Sequence, residues 1–551
     1  MDEGSRLTDN SAVYWPRSFK FTAPLLLTVG ASVVVLTAAH AKRQSVTETW
    51  YGYGGNPQHQ SVSQVATTGM TKLKWKVALD LFPQSAGTAH YCSPTITANN
   101  SVIVGVKTGE SDGFKIVARM GADGTPLYTE VTDYSIPSTS NTYWNCVYPI
   151  GLVQGRLVGA GGGGTLLINN NADANAKAVK WTRSCFYQPV ATYNASPATY
   201  AGVKISTPIA GGPSEVFTFG YTVLDSVPPN ISSMLGNGGV VKMTLSGGSV
   251  FRKASDLVPA NPGDVVFPAF NAEPATSADG AYIYEPIVNA SQGKYYLVKL
   301  SLADMSEVAS VRLVDPANGG DVWICPCSSA SPMVAPDGQV FFGALRNNDG
   351  SSHGWMFQFD QNLVQTDSNN KTFPIGAFGW DDTPSVVLAS SVKSYTGTSP
   401  YLILTKYNNY KGTGGDGRNR LAILDPKAND VTKDRITGIS VMNEVITVLG
   451  VTCDSEFYPC QSNTKVSNPA VPVREWCINA AAVDNINRRA VVNSEDGSCY
   501  LWDFDTNSLQ QAFHLQPSTG EPYTSTAVGP DGTAYAINKA YLHAVATVPG
   551  P

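Results

Sequence analysis

From residue 44 onward, apolar residues fall in short alternating or β-branched runs cut by Gly, Asn and Asp, with no sustained i, i+3, i+4, i+7 spacing. That pattern predicts many short strands joined by tight turns, an all-β protein. The runs also recur as a unit. A small or polar residue plus Pro opens an apolar run, a turn follows, then a strand such as "VFFGAL", another turn, and a strand ending near "FD" or "LD". The unit is plain in "CSPTITANNSVIVGV" from Cys92, "STPIAGGPSEVFTFG" from Ser206, "AEPATSADGAYIYEP" from Ala272, "ASPMVAPDGQVFFGA" from Ala330 and "DTPSVVLASSV" from Asp382. It returns without the proline from Ile478 and Tyr523, and more loosely from Asn145. About eight units of roughly 40 to 70 residues lie in the range of solenoids, propellers and arrays.

Four-stranded antiparallel units set radially make a β-propeller, which leaves only short, protected sheet edges. The ring must close, and the final unit, "TSTAVGPDGTAYAINKAYLHAVATV", supplies only three strands, whereas "KLKWKVALD" at Lys72 to Asp80 is a lone strand. The expectation is an eight-bladed propeller whose N-terminal strand is the outermost strand of the last blade. A β-helix is the rival, but its rungs are shorter and need no donated strand. The chain divides into an export segment (1–43), a lead-in (44–71) and a single propeller domain (72–551).

Composition narrows the setting. Charged residues are 15% of the 551, Gly numbers 51, and the net charge is −6. With no basic run, the electrostatic footprint of a nucleic-acid binder is missing. Residues 21–41, "FTAPLLLTVGASVVVLTAAHA", follow Arg17 and Lys20 and close on small residues, the layout of a secretory signal. An uncleaved, membrane-spanning signal anchor is the alternative, since the run reaches the roughly 20 residues that cross a bilayer. Both readings put the propeller outside the cytoplasm, secreted, periplasmic or anchored by 21–41. Nine cysteines in an exported chain favour disulfides. The candidates are Cys453 with Cys460, across "CDSEFYPC", and Cys92 with Cys146, from consecutive units.

The opening "WYGYGGNPQHQSVS" from Trp50, then "LKWKV", then repeated "SP…DG" blades, resembles the quinoprotein-like eight-bladed propellers. The stretch from "DDTPSVVLASSV" through "REWCINAAAV" to "GPDGTAYAIN" is similar to a recurring half of uncharacterised exported members of that group. The resemblance implies two outcomes, because the superfamily holds pyrroloquinoline-quinone alcohol dehydrogenases and non-catalytic relatives. In the dehydrogenases the quinone lies between a tryptophan and a disulfide of adjacent cysteines, with calcium bound by Glu and Asn and an Asp as base. No adjacent cysteine pair exists here; Cys325-Pro326-Cys327 comes nearest. Trp380, Asp382 and Glu273 are residues that would fill such roles, without a motif matching residue by residue.

Two other stretches imitate sites. "VVNSEDGSCYLWDFDTNSL", residues 491–509, sets carboxylates around an Asp-Gly turn, which reads as a hairpin, since Ser508 stands where a calcium loop needs Gly. Gly159 to Gly164 match G-x-G-x-x-G but precede "TLLIN", a strand, where a dinucleotide site needs a helix. No metal motif is expected.

If the first strand of each blade lines the channel, the residues just before it ring one mouth. Trp144, Trp323, Trp380 and Trp476 fall there, with Asp382, Arg474 and Glu475 beside them. Aromatic walls with a few converging polar groups are a default binding site, though large aromatics also wedge between blades. The primary expectation is an exported, non-enzymatic binding or scaffold propeller that holds a protein, glycan or small molecule at the mouth. The alternatives are an oxidoreductase using pyrroloquinoline quinone and calcium, and a lectin-like propeller.

Overall fold

A computed structural model of the chain describes residues 49–81, 91–109, 113–137, 148–324, 330–346, 353–408, 418–455, 460–461, 465–466, 471–476, 478–515 and 525–547. The unit Ser45–Pro551 holds eight antiparallel sheets in chain order, an eight-bladed propeller. The innermost strands start at Thr95, Ile150, Val203, Ala275, Met333, Ser385, Ala482 and Ala527, for blades 1 to 8. Lys72–Ala78 pairs with Tyr541–Ala546, with Lys72 opposite Ala546, so the N-terminal strand completes the last blade.

The strand sequences follow from blade stacking. A second or third strand is covered on both faces by neighbouring blades, so Val340–Leu345 and Gly354–Phe359 are buried at every position and read as continuous apolar runs. An outermost strand faces solvent on alternate residues, and Glu307–Arg312 alternates exposed and half-buried positions. The seams between blades hold Trp355, Trp476 and Trp502, each fully buried. Truncating a core aromatic of that size costs about 3–5 kcal/mol.

The recurring residue before proline has a structural use. Ser93, Tyr148, Glu273, Ser331, Thr383, Asn479 and Ser525 stand just before the channel-lining segments, Thr207 stands between Val203–Ile205 and the Ala210 bridge to Thr218, and all are buried. They form a belt that ties blade to blade. Glu273 N donates to Ser331 Oγ at 2.9 Å, Ser331 N to Thr383 Oγ1 at 2.8 Å, and Ser525 Oγ to Ser93 Oγ at 2.7 Å. Thr383 N donates to Asn479 O at 2.6 Å.

The lead-in is part of the propeller rather than a tether. Backbone bonds join Trp50 to Ile96, Tyr51 to Leu152, Pro57 to Thr276, Gln58 to Val334, Gln60 to Val386, Ser61 to Val483 and Thr68 to Gly532. These reach blades 1, 2, 4, 5, 6, 7 and 8 in turn, so the segment runs around the channel and plugs one end. Blade 3 is passed over. Tight turns hold the plug's shape: Gly54 has φ +61°, and a Cβ there would lie 2.5 Å from His59 Cα.

Three expectations meet the structure here. Residues 491–509 run from the strand Arg489–Asn493 through Ser498–Asp503 into the start of Ser508–His514, with turns between them and Gly497 at φ 84°. Gly159–Gly164 lead into the strand Thr165–Asn169, and no helix follows. Against the transmembrane expectation, no helix among the described residues is long and apolar enough to cross a membrane; the run 21–41 on which it rests lies outside the described residues.

Candidate functional site at the channel mouth

Two elements of blade 6 build the centre of the site. The loop before Ser385–Leu388 carries Asp381 and Asp382, and the strand Tyr401–Tyr407 carries Thr405 and Lys406. Lys406 Nζ donates to Asp381 Oδ2 at 3.0 Å, and both side chains are buried to within 1%. Asp382 Oδ2 accepts from Thr405 Oγ1 and, at 3.3 Å, from Lys406 N. With Oδ2 taken by two donors, a proton on this carboxyl sits on Oδ1. Burial pushes Asp382 up to about 7, against the opposing pull of Lys406 and the Thr405 hydroxyl. That is where a general base serves at neutral pH.

The loop before blade 7 adds Arg474 and Glu475. Arg474 Nη1 lies 3.3 Å from both Asp454 Oδ1 and Glu495 Oε2, and its side chain is 8% exposed. Cys453 and Cys460 are joined by a disulfide, with Cα atoms 6.6 Å apart. Cys453 also bridges Val473, which pins this loop beside the mouth. Burial drives Glu475 well above the usual carboxylate range, and the Glu495 charge pushes the same way.

From below, the plug sends two side chains to the belt. His59 Nδ1 contacts Pro332 O at 2.7 Å and must donate to it; Nε2 lies 3.3 Å from Glu273 Oε1. With Nδ1 committed as donor, the Nε2 contact holds only if it contains a proton, so His59 and Glu273 share one. Glu273 Oε2 accepts from Tyr53 N at 3.2 Å. Burial raises Glu273, and the His59 contact opposes it. Thr383 Oγ1 donates to Tyr53 OH at 3.3 Å. Desolvation holds the Tyr53 phenol neutral, reinforced by the charges of Asp382, Asp381 and Glu273. On the same belt, both polar atoms of the Asn479 amide are buried without a hydrogen-bond partner.

The sequence-predicted residues thus divide. Asp382, Arg474 and Glu475 join one buried polar cluster with Lys406 and Asp381. Trp476 does not wall the mouth: it is fully buried in the blade 6 and 7 core, edge-on to Tyr500 at 6.0 Å. Trp323 and Trp380 are half-buried and pack against blades 5 and 6. Trp144 lies outside the described residues. Cys92 is a free thiol, raised by burial to about 12, in disagreement with the expected bridge to Cys146, which lies outside the described residues. Tyr53, His59, Lys406 and Asn479 are functional candidates that sequence reasoning misses. The signal for the first two is the aromatic and polar lead-in itself, and for Asn479 its place in the repeat.

No protein-family model matches the sequence, and no curated protein matches it. Among solved structures, a quinohemoprotein alcohol dehydrogenase from Comamonas testosteroni is 10% identical, covering 91% of this chain and 81% of that one, with a TM-score of 0.49. The quinohemoprotein alcohol dehydrogenase ADHIIG from Pseudomonas putida HK5 is 11% identical over 89% and 75%, with a TM-score of 0.43. The computationally designed Ika8 protein is 11% identical over 85% and 99%, with a TM-score of 0.40. These are distant likenesses of fold, and at such scores none carries an argument about activity.

Proposed function

We propose that the protein is an enzyme with its reacting centre at the channel mouth over blades 6 and 7, and Asp382 as the proton acceptor. The observation that carries this reading is a buried Asp382 near 7, packed beside the Lys406–Asp381 pair. Burying an ion pair and two raised carboxyls is costly for stability, and perturbed groups of this kind concentrate at functional sites.

Within that class, the oxidoreductase reading draws support from the residues around Asp382. Arg474 is matched by Asp454 and Glu495 and His59 by Glu273, so Asp381, Asp382 and Glu475 face Lys406 alone, and such a carboxyl surplus suits a hard cation with oxygen ligands. Glu273 and the unpartnered Asn479 amide are donors of the kind the resemblance implies. Among the described residues no group of three or more His, Cys, Asp or Glu is set to hold a metal, so the protein would supply only part of a calcium shell. The stacking half of the resemblance does not fit, because adjacent cysteines are lacking and Cys92 stands alone. Quinone, when bound, would supply hydride acceptance; the chain's own part is Asp382 taking a proton on Oδ1 while Lys406 and Thr405 fix its other oxygen. An extracytoplasmic setting belongs to the proposal, supported by the Cys453–Cys460 bridge.

The test is calorimetric titration of the protein with pyrroloquinoline quinone in calcium buffer, paired with turnover of alcohols and sugars by wild type and Asp382→Asn. Saturable binding near one equivalent, with turnover reduced about 100-fold or more in the variant, supports the reading. Binding without turnover favours the module that merely holds a ligand at the mouth. Neither binding nor turnover removes the quinone reading.

A further inference from the structure

We propose that the opposite, plugged face carries a second binding site, in the seam of blades 3 and 4, for an uncharged, hydroxyl-rich ligand such as a glycan chain end. A cleft of about 920 Å³ opens there, within the roughly 300–1,000 Å³ typical of ligand sites. It lies where the plug passes over blade 3. Pro57 forms one wall, Gly212 and Phe217 of blade 3 a second, and Tyr282 and Leu302 of blade 4 a third.

The seam also holds polar groups without partners. Thr218 lines the cleft, is 3% exposed, and its hydroxyl has no hydrogen-bond partner. Leaving such a buried group unmet is costly, and a ligand hydroxyl would relieve it. Its backbone is already paired in both directions with Ala210, so the hydroxyl alone is spare. Glu285 is fully buried with both oxygens unpartnered. It shares a strand face with Ile283 and Ile287, which pack with Val240 of blade 3, so it points into the same seam.

The chemistry of the walls selects the class. No lysine, arginine or histidine is among the residues that line the cleft, and the two ammonium groups that reach its edge are engaged, Lys242 Nζ by Leu302 O and Ala303 O at 2.8 Å and Lys299 Nζ by Asn362 Oδ1 at 3.0 Å, so a phosphate or carboxylate would meet no free counter-charge. Its one carboxylate, Asp279, accepts from the Ser277 hydroxyl and Ala281 N on Oδ1, which leaves Oδ2 as an acceptor for a ligand hydroxyl. The Asn56 amide is taken by Gln60 and Gln58 Nε2 by Ser277 O, which leaves the hydroxyls of the lining, that of Thr218 foremost, and hydroxyls both donate and accept, as those of a sugar do. A peptide strand would need an open backbone edge, but Thr276 N is spent on Pro57 O and Ala210 on Thr218. The half-buried Tyr282 ring adds an aromatic surface, with Lys299 Nζ over one face at 3.9 Å from its centroid.

The experiment uses the whole protein with maltotriose, cellotriose and chitotriose as probes, read by titration and saturation-transfer NMR. Thr218→Val keeps the shape and removes only the spare hydroxyl; Ala303→Trp, at an exposed lining position, obstructs the cleft without touching the core. The expected result is saturable binding of at least one trisaccharide, weakened tenfold or more by Thr218→Val, lost in Ala303→Trp at unchanged melting temperature, and indifferent to Asp382→Asn. That last arm separates this site from the channel mouth. Absence of binding by all three at millimolar concentration, binding unaffected by both cleft variants, or tighter binding of glucose 6-phosphate than of glucose would overturn the proposal.

Discussion

At the scale of single residues, the channel is set by how few charges its buried carboxyls can keep. Asp382 binds its proton more tightly in the fold than in the unfolded chain, where an aspartate titrates near 3.9. The folded state therefore holds the extra proton between about pH 4 and about 7, and stability falls as pH rises through that window. Asp382→Asn should flatten this part of the stability curve, measured by urea midpoints across pH; an unchanged slope would contradict the assignment. The proton shared by His59 and Glu273 makes a second prediction. Glu273→Gln keeps a donor to Nε2 and should cost under about 1 kcal/mol, whereas Glu273→Leu strands His59 and should cost about 2–3 kcal/mol. Equal losses would refute the shared proton.

Among the elements, the lead-in is the one whose role the sequence hides. Its apolar pattern is too short and too interrupted to predict a strand, because its backbone pairs one residue at a time with successive blades rather than along one partner. The repeated residue before proline is visible, yet its belt of blade-to-blade bonds appears only when distant units are brought together. The rim tryptophans show the converse. Their positions are legible, but whether a ring faces solvent or a neighbouring blade depends on packing that no local pattern encodes, and Trp476 goes to the core. Lys406 lies inside a strand that reads as apolar, so only the facing Asp381 reveals its use. The plug should be sensitive at Gly54. An alanine there meets His59 and a left-handed backbone together, and Gly54→Ala should destabilise the protein by about 1–3 kcal/mol while shifting the His59 ring resonances. A variant as stable as wild type with unmoved resonances would show the plug to be loosely held.

The whole molecule is a closed ring, and closure rests on a strand far from its partner in sequence. That feature is legible in the chain itself, because a three-strand terminal unit and a lone N-terminal strand complete one blade. Deleting residues 49–78 removes both the plug and the closing strand and leaves Tyr541–Ala546 as an open edge, which invites edge-to-edge association. The truncated protein should aggregate and lose a single cooperative unfolding transition in calorimetry. A soluble monomer with one sharp transition would show that closure is dispensable.

The chemistry proposed for the channel mouth requires Asp382 to be a buried base poised near neutrality. Infrared difference spectra of wild type against Asp382→Asn, recorded across pH, test this directly. The prediction is a protonated-carboxyl band in wild type, absent from the variant, that fades with a midpoint near pH 7. A band already gone by about pH 5, close to an ordinary aspartate, would leave the channel mouth without its base.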